Sequence, residues 1–311
     1  MATTSASSAA DPVLIERIAG ALGVDESLVE KDWHAVRALG AIASVHVPDA
    51  IPVFSGGTSL SKGWDLIKRF SEDIDFKVMT PQALSVAQAR KLRRVYRAAV
   101  LDALADRHFI IQGTADVGND GRFFSATFTY EAHFPIDRAL RRRLKVEMSF
   151  VDPALPALAR PLQSLVARAR SAGAEVAAFR CVDPVETAAD KLSALRWRAY
   201  ARDRQSPKDD PTIVRHLHDL AALEILATAD DRFASLARET AQSDARRAKP
   251  RDVDWKTMLL DMPERLARDV EWRREYEQLV DAVSFARAEE RIGFDAALDG
   301  SRRLVAHVLE K

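Results

Sequence analysis

The chain has 311 residues, and its 46 basic and 46 acidic side chains leave a formal net charge of zero. The protein's overall field therefore announces no polyanionic partner, although local clusters still can. A hydrophobic content of 47% and a charged content of 30% suit a soluble chain long enough for two cores. The single cysteine, Cys181, excludes an intramolecular disulfide and a multi-cysteine zinc site. No apolar run approaches the roughly 18 residues of a membrane span, so the expectation is a cytoplasmic protein with no membrane partner.

The opening MATTSASSAAD is small and polar, lacks the basic start and apolar core of a signal peptide, and reads as a disordered tail over residues 1–11. Asp11-Pro12 then caps a helix over VLIERIAGAL. A second helix starts at Asp25-Glu26-Ser27, with Leu28, Trp33, Val36, Leu39 and Ile42 at helical spacing. IPVFS reads as a strand feeding Gly56-Gly57, SLSKGWDLIKRF as a helix, and SEDIDFKVM as a strand with Ile74, Phe76 and Val78 on one face. Residues 82–107 form a long amphipathic helix. Three strands follow, at 109–112, at FFSATFTYEAHF and at LKVEMSF, with Asn119-Asp120-Gly121 turning between the first two. Strand signals end by Asp183. Helices are expected over PVETAADKLSALRWRAYAR, TIVRHLHDLAALEILA, DDRFASLARETAQS, WKTMLLDMPERLARDVEWRREYEQLVDAVS and GFDAALDGSRRLVAHVLE, with a basic turn at ARRAKPRD. A mixed α/β half thus precedes an all-helical half, with the boundary between about residues 153 and 182.

The chemistry concentrates in VFSGGTSLSKGWDLIKRFSEDIDFKV, residues 53–78. On an extended strand Asp73 and Asp75 point to the same side, within bridging reach of one cation. Magnesium takes one or two carboxylates together with substrate phosphates. Gly56 and Gly57 let a backbone approach a triphosphate closely, a helix starting near Ser59 aims its N–H groups at it, and Thr58 and Ser59 add hydroxyls. Glu147 supplies a third carboxylate if its strand pairs beside that of Asp73, and three carboxylates around metal polarise an attacking oxygen and steady a departing pyrophosphate. Asp-x-Asp alone equally describes a solvated strand face, and a diglycine alone is as weak. The order strand, Gly-Gly-Thr-Ser, helix, Asp-x-Asp strand and later alternating Glu strand is what points to nucleotide transfer.

GGTSLSKGWDLIKRFSEDIDF resembles the AbiEii/AbiGii-type nucleotidyltransferase toxins, a branch of the DNA polymerase β-like superfamily that includes the MenT toxins. Glu30-Lys31-Asp32-Trp33 is similar to that family's N-terminal signature, Lys145-Val146-Glu147 to its second motif, and Asp190-Lys191 with Arg196 to its third. RHLHDL, ending in Asp219-Leu220, is similar to its Arg-Asp-x-x-Asp-Leu, with His216 where Asp is common. The match spans about residues 28 to 222. The resemblance implies an α+β fold: a nucleotidyltransferase (polymerase β-like) lobe over 12–160, with a mixed sheet flanked by helices, and an all-helical C-terminal lobe over 161–311. It implies Asp73, Asp75, Lys191 and Asp219 as catalytic residues, and Asp73, Asp75 and Glu147 as ligands of Mg2+. Gly56, Gly57, Thr58, Ser59, Lys62 and Lys145 become nucleotide-binding candidates, and Ser71 a candidate for self-modification. Lys191 would reach the triphosphate from the other lobe, with Asp219 orienting it or the acceptor.

The implied activity is that of a toxin of a toxin–antitoxin pair. It would transfer nucleotides from NTP to the 3′ end of tRNA, release pyrophosphate, block translation and be neutralised by a cognate antitoxin. A small-molecule or protein hydroxyl as acceptor, or a non-catalytic binding protein of the same fold, are the rival readings.

Two basic runs in this neutral chain, ARKLRRVYRA and RALRRRLK, are either solvated surface or an electrostatic track for an RNA backbone. His216 and His218, two apart on a helix, do not share a face and are poor paired metal ligands. Cys181, Trp255 and Trp272 read as buried packing residues.

Overall fold

The computed structural model describes residues 10–71, 73–135, 143–207, 209–245 and 253–311. Most of the N-terminal tail, the first five residues of RALRRRLK and most of ARRAKPRD lie outside the described residues. The chain separates into two compact units. The first holds the described residues up to Asp65 together with Phe70–Val182; the second holds Leu66–Arg69 and Asp183–Lys311.

The first unit begins with α1 (Pro12–Leu22), whose N-cap is Asp11, and α2 (Glu26–Ala43), capped by Asp25. β1 (Ile51–Ser55) runs directly into α3 (Gly56–Lys62), and β2 (Asp73–Met79) precedes the long α4 (Val86–Ala105), which opens with a Ser85–Gln88 capping box. Then come β3 (Ile110–Ile111), β4 (Asp116–Gly118), β5 (Phe123–Thr129), β6 (Leu144–Ser149), β7 (Leu158–Leu162), α5 (Leu165–Ala169) and β8 (Val176–Cys181). The sheet order is β3-β5-β6-β2-β1-β8-β7, with β4 also paired to β5. β2 runs parallel to β6 and β1 parallel to β8, while β1 and β2 are antiparallel.

Alternation along β2, β5 and β6 sends Ile74, Phe76, Val78, Phe124, Ala126, Val146 and Met148 into one apolar core, which Leu39 and Ile42 of α2 and Tyr96, Val100 and Leu104 of α4 share. On the opposite face β2 and β6 present Asp73, Asp75, Lys77, Lys145, Glu147 and Ser149. This is the α+β architecture read from the sequence, a mixed sheet flanked by helices.

Three local expectations are corrected. SLSKGWDLIKRF is not one helix: α3 starts at the diglycine and ends at Lys62, because Asp65 takes a left-handed φ of 55° and Trp64 turns its indole N–H to the Val182 carbonyl. The NDG turn joins β5 to the extra strand β4 rather than to β3. β7 and β8 have no counterpart in the strand expectations.

The second unit is helical: α6 (Pro184–Ala201), α7 (Arg215–Ala229), α8 (Phe233–Ala245), α9 (Trp255–Arg268), α10 (Val270–Leu279) and α11 (Phe294–Glu310). The expected single helix from Trp255 breaks at Asp269, which caps α10 through the Glu271 N–H. Leu192, Leu195, Leu217, Leu220, Phe233, Met262, Trp272 and Leu304 are buried. Leu66–Arg69 lies in this unit, with the Phe285 N–H donating to the Lys68 carbonyl and a β-bridge between Arg69 and Ser284. No described helix is long and apolar enough to cross a membrane.

Candidate active site

One face of the sheet gathers Asp73, Asp75 and Glu147. The parallel register of β2 and β6 sets Asp73 opposite Lys145 and Asp75 opposite Glu147. Since strand partners share a face, the four side chains stand together on the side away from the apolar core. Flanking strands extend the rung, with Ser55 of β1 beside Asp75 and Ser125 of β5 beside Glu147. All these residues are partly solvent-accessible.

Three carboxylates stand here with Lys145 opposite Asp73, and Lys77 follows Asp75 on the same face of β2. Lys145 Nζ lies 2.9 Å from Glu147 Oε1. Burial alone would lower the Lys145 pKa, but the Glu147 hydrogen bond and the charges of Glu147, Asp73 and Asp75 outweigh it and raise it above its ordinary value. Lys145 therefore stays cationic. With Glu147 drawn to Lys145, no three His, Cys, Asp or Glu side chains among the described residues converge on a point that could enclose a metal ion. A donor set of two aspartates on adjacent same-face positions, with Glu147 one strand away, fits a hard cation that keeps water and substrate phosphate as its other ligands.

Gly56 is shaped to this rung. Its φ of 73° is left-handed, and a Cβ there would overlap Asp75 Oδ2 and stand 3.0 Å from Cγ. Only glycine combines that backbone with that clearance, so the diglycine's first member serves the Asp75 carboxylate directly. Gly57, Thr58 and Ser59 lie inside α3 and are buried. The Thr58 hydroxyl donates to the Asp73 carbonyl, tying α3 to the first residue of β2.

Lys62 is engaged elsewhere, in a buried ion pair with Asp32, whose other oxygen accepts the Leu165 N–H. Glu30 accepts from the N–H groups of His133 and Phe134. The Glu-Lys-Asp signature of α2 thus anchors neighbouring segments. Ser71 is partly buried, on a water-sized cavity shared with Lys31, Asp32, Thr58 and Lys62.

In the second unit Lys191 of α6 and Asp219 of α7 meet, with Nζ 2.9 Å from Oδ2. Arg69, which the sequence reading passed over, grips both oxygens of the same carboxylate: its Nε donates to Oδ1 at 2.8 Å and its Nη2 to Oδ2 at 2.5 Å. His218 Nδ1 stands 3.2 Å from Oδ1. Burial by itself would raise the Asp219 pKa; the Arg69 and Lys191 charges, with hydrogen bonds from His218 and Arg69, hold it well below the usual carboxylate range. His216, at the position where the sequence pattern departs from Asp, is kept neutral by burial and by the Lys191 charge. The one sequence signal for Arg69 was its place just before Ser-Glu-Asp-Ile-Asp.

A mixed sheet that presents paired aspartates beside a strand–Gly-Gly–helix turn is a nucleotidyltransferase scaffold. The family model of the nucleotidyl transferase AbiEii toxins, type IV toxin–antitoxin systems, matches residues 37–300, and the chain belongs to that family. Among solved structures, the nucleotidyltransferase toxin MenT4 from Mycobacterium tuberculosis H37Rv superposes with a TM-score of 0.53 over 97% of this chain and 90% of that one, at 18% identity, a likeness of fold. No curated protein sequence matches.

Proposed function

We propose that the chain transfers nucleotides from an NTP to the 3′ acceptor end of tRNA with release of pyrophosphate, so that the modified tRNA cannot serve translation. The observation that carries this reading is the rung itself: Asp73 and Asp75 side by side, Glu147 opposite Asp75, and Gly56 cleared to make room for the Asp75 carboxylate. In the reaction the acceptor hydroxyl oxygen forms a bond to the α-phosphorus, and the bond from that phosphorus to the pyrophosphate oxygen breaks.

Asp73 and Asp75, with Glu147 beside them, would hold Mg2+, which supplies charge neutralisation to the phosphates. Lys145 keeps Glu147 oriented and offers its remaining donors to phosphate oxygens. Lys191 is proposed as a further phosphate-binding cation, one of its three donors committed to Asp219 so that the ammonium is held in place. Positioning and electrostatics account for most of such catalysis. As a toxin of a type IV pair it would act in the cytoplasm and be countered by a cognate antitoxin.

The test uses purified protein, total tRNA, magnesium and each labelled nucleotide in turn, beside Asp75→Ala. Labelled tRNA with wild type alone is the expected result. Absence of labelling above the variant overturns the tRNA reading, and label on the protein instead redirects it to self-modification at a hydroxyl such as Ser71.

A further inference from the structure

One basic run of the sequence is built into a groove that the transfer chemistry does not use. α4 turns Tyr96, Val100 and Leu104 into the apolar core, so it covers the sheet face opposite the acidic rung. Its outer residues and the Asn119–Gly121 turn enclose an open groove of about 560 Å³, whose walls include Arg90, Lys91, Arg94 and Arg97. The groove is held in shape from both sides. Arg97 Nη1 donates to the Gly121 carbonyl at 2.9 Å, Arg93 Nη2 to the Asp120 carbonyl at 3.4 Å, and Arg90 Nε to Asp120 Oδ2 at 3.0 Å. Gly121 has a φ of 75°, and a Cβ there would stand 3.0 Å from Arg97 Nη1, so the turn is fitted to that arginine.

Charge is concentrated here in a chain whose total is zero. Asp120 is the one carboxylate among the lining residues, and it is already paired with Arg90 at 2.7 Å. Lys91, Arg94 and Arg97 form no ion pair with a carboxylate among the described residues, and Arg122 shares the charge of Asp120 with Arg90 and Arg93. Burial, and then the charges of Arg93 and Arg94, lower the Arg97 pKa; burial, and then the charge of Arg122, lower that of Arg93. The cations feel one another's repulsion, a standing cost that a bound polyanion would relieve.

We propose that this groove binds the phosphodiester backbone of the acceptor RNA, apart from the end that reacts at Asp73 and Asp75. The inference rests on RNA being the acceptor. The lining favours RNA over an acidic protein. Its apolar members are Ala87 and Val117, with no aromatic or Met anchor, whereas protein interface cores are built on such anchors and depleted in lysine. Nucleic-acid interfaces are far more positive, and guanidinium forks match phosphate oxygens. Gly121 lies four residues before Ser125 of the rung, on the order of 10 Å of chain along β5. The groove thus borders the start of β5, the strand that carries Ser125 of the rung.

Two double variants test this, each removing two positive charges: K91A/R94A in the groove, and R302A/R303A, whose arginines are already paired with Glu264 and Glu224. Binding of total tRNA is measured without nucleotide across a potassium chloride series, after thermal melts confirm that both variants fold. The expected result for K91A/R94A is a salt slope shallower by about 1.5, following the roughly 0.7–0.9 per lost phosphate contact, with R302A/R303A unchanged. In transfer assays the KM for tRNA rises at constant kcat, whereas a 3′-terminal oligonucleotide too short to reach the groove reacts as with wild type. Equal behaviour of the two variants overturns the proposal, as does displacement of tRNA by polyglutamate as readily as by an RNA duplex of equal charge. Groove-dependent binding of tRNA that is never labelled leaves the groove standing and removes tRNA as acceptor, so the two failures are distinguishable.

Discussion

In the first unit three carboxylates stand with lysines on a half-exposed sheet face; in the second, one buried carboxylate is shared by two cations and a histidine. Glu147 and Lys145 keep side-chain exposures of 26% and 42%, whereas Asp219, Arg69 and Lys191 keep 0%, 3% and 9%. The difference separates two uses of charge. The rung carries its charges in partial solvent, where each group is cheap to maintain and within reach of an added cation. The Asp219 cluster is desolvated, and its members are tolerable only while mutually satisfied. A carboxylate of the first kind is available for chemistry; one of the second kind fixes the geometry of its partners.

Two substitutions should pull these roles apart. Asp75→Asn is expected to lower nucleotide transfer by at least roughly a hundredfold to a thousandfold, the size seen when one group that stabilises reacting charge is lost. Its urea midpoint should stay close to wild type, since the substitution keeps the side chain's size on a half-solvated face. Asp219→Ala is expected to cost about 3–5 kcal/mol of stability, because Arg69 and Lys191 are left buried and uncompensated. Equilibrium unfolding in urea reads both. If Asp219→Ala unfolds like wild type, the distinction between the two clusters collapses.

What the sequence could reveal follows the same division. The rung was legible because period-two alternation puts Asp73 with Asp75, and Lys145 with Glu147, without knowledge of neighbours. That Glu147 stands opposite Asp75 depended on pairing of distant strands, which the sequence left conditional. β7 and β8 escaped notice because LARPL carries a proline and VAAFRC lacks clean alternation. Arg69 was missed for two reasons. It read as the end of a helix that in fact stops at Lys62, and its partner lies 150 residues away. Local pattern exposes a face, but a buried ion cluster is made by tertiary contact.

The rung's dependence on its glycine can be measured against a glycine of similar backbone. Gly23 caps α1 with a φ of 67° and has nothing within 4 Å of a Cβ position, whereas Gly56 has the Asp75 carboxylate there. Gly23→Ala should cost only the left-handed strain, about 1–2 kcal/mol, with transfer activity intact. Gly56→Ala should add displacement of Asp75 to that strain, so its stability loss is larger and its activity falls at least about tenfold. If the two variants lose activity equally, the clearance at Gly56 has no bearing on the rung.

The smallest effect concerns pH and tests whether the strongly paired Asp219 is silent near neutrality. Its pKa is depressed in the fold, so its stabilisation is present above the ordinary carboxylate value of 3.8 and is lost only as pH falls through the lowered one. It contributes no slope between pH 7 and 5. His34 of the first unit does. It is 1% exposed, stacks on Tyr130 at 4.0 Å and meets Phe109 edge-on. Burial, and then the Arg37 charge, lower its pKa from 6.5 to about 3. Below pH 6.5 the unfolded chain takes up a proton that the fold refuses, and stability declines by up to about 1.4 kcal/mol per pH unit, or about 2 kcal/mol between pH 7 and 5. His34→Phe, which suits the aromatic surroundings, should remove that share of the slope and leave the pH 7 stability equal or higher. Urea unfolding at the two pH values decides it, and an unchanged slope in the variant would place the acid sensitivity elsewhere in the chain.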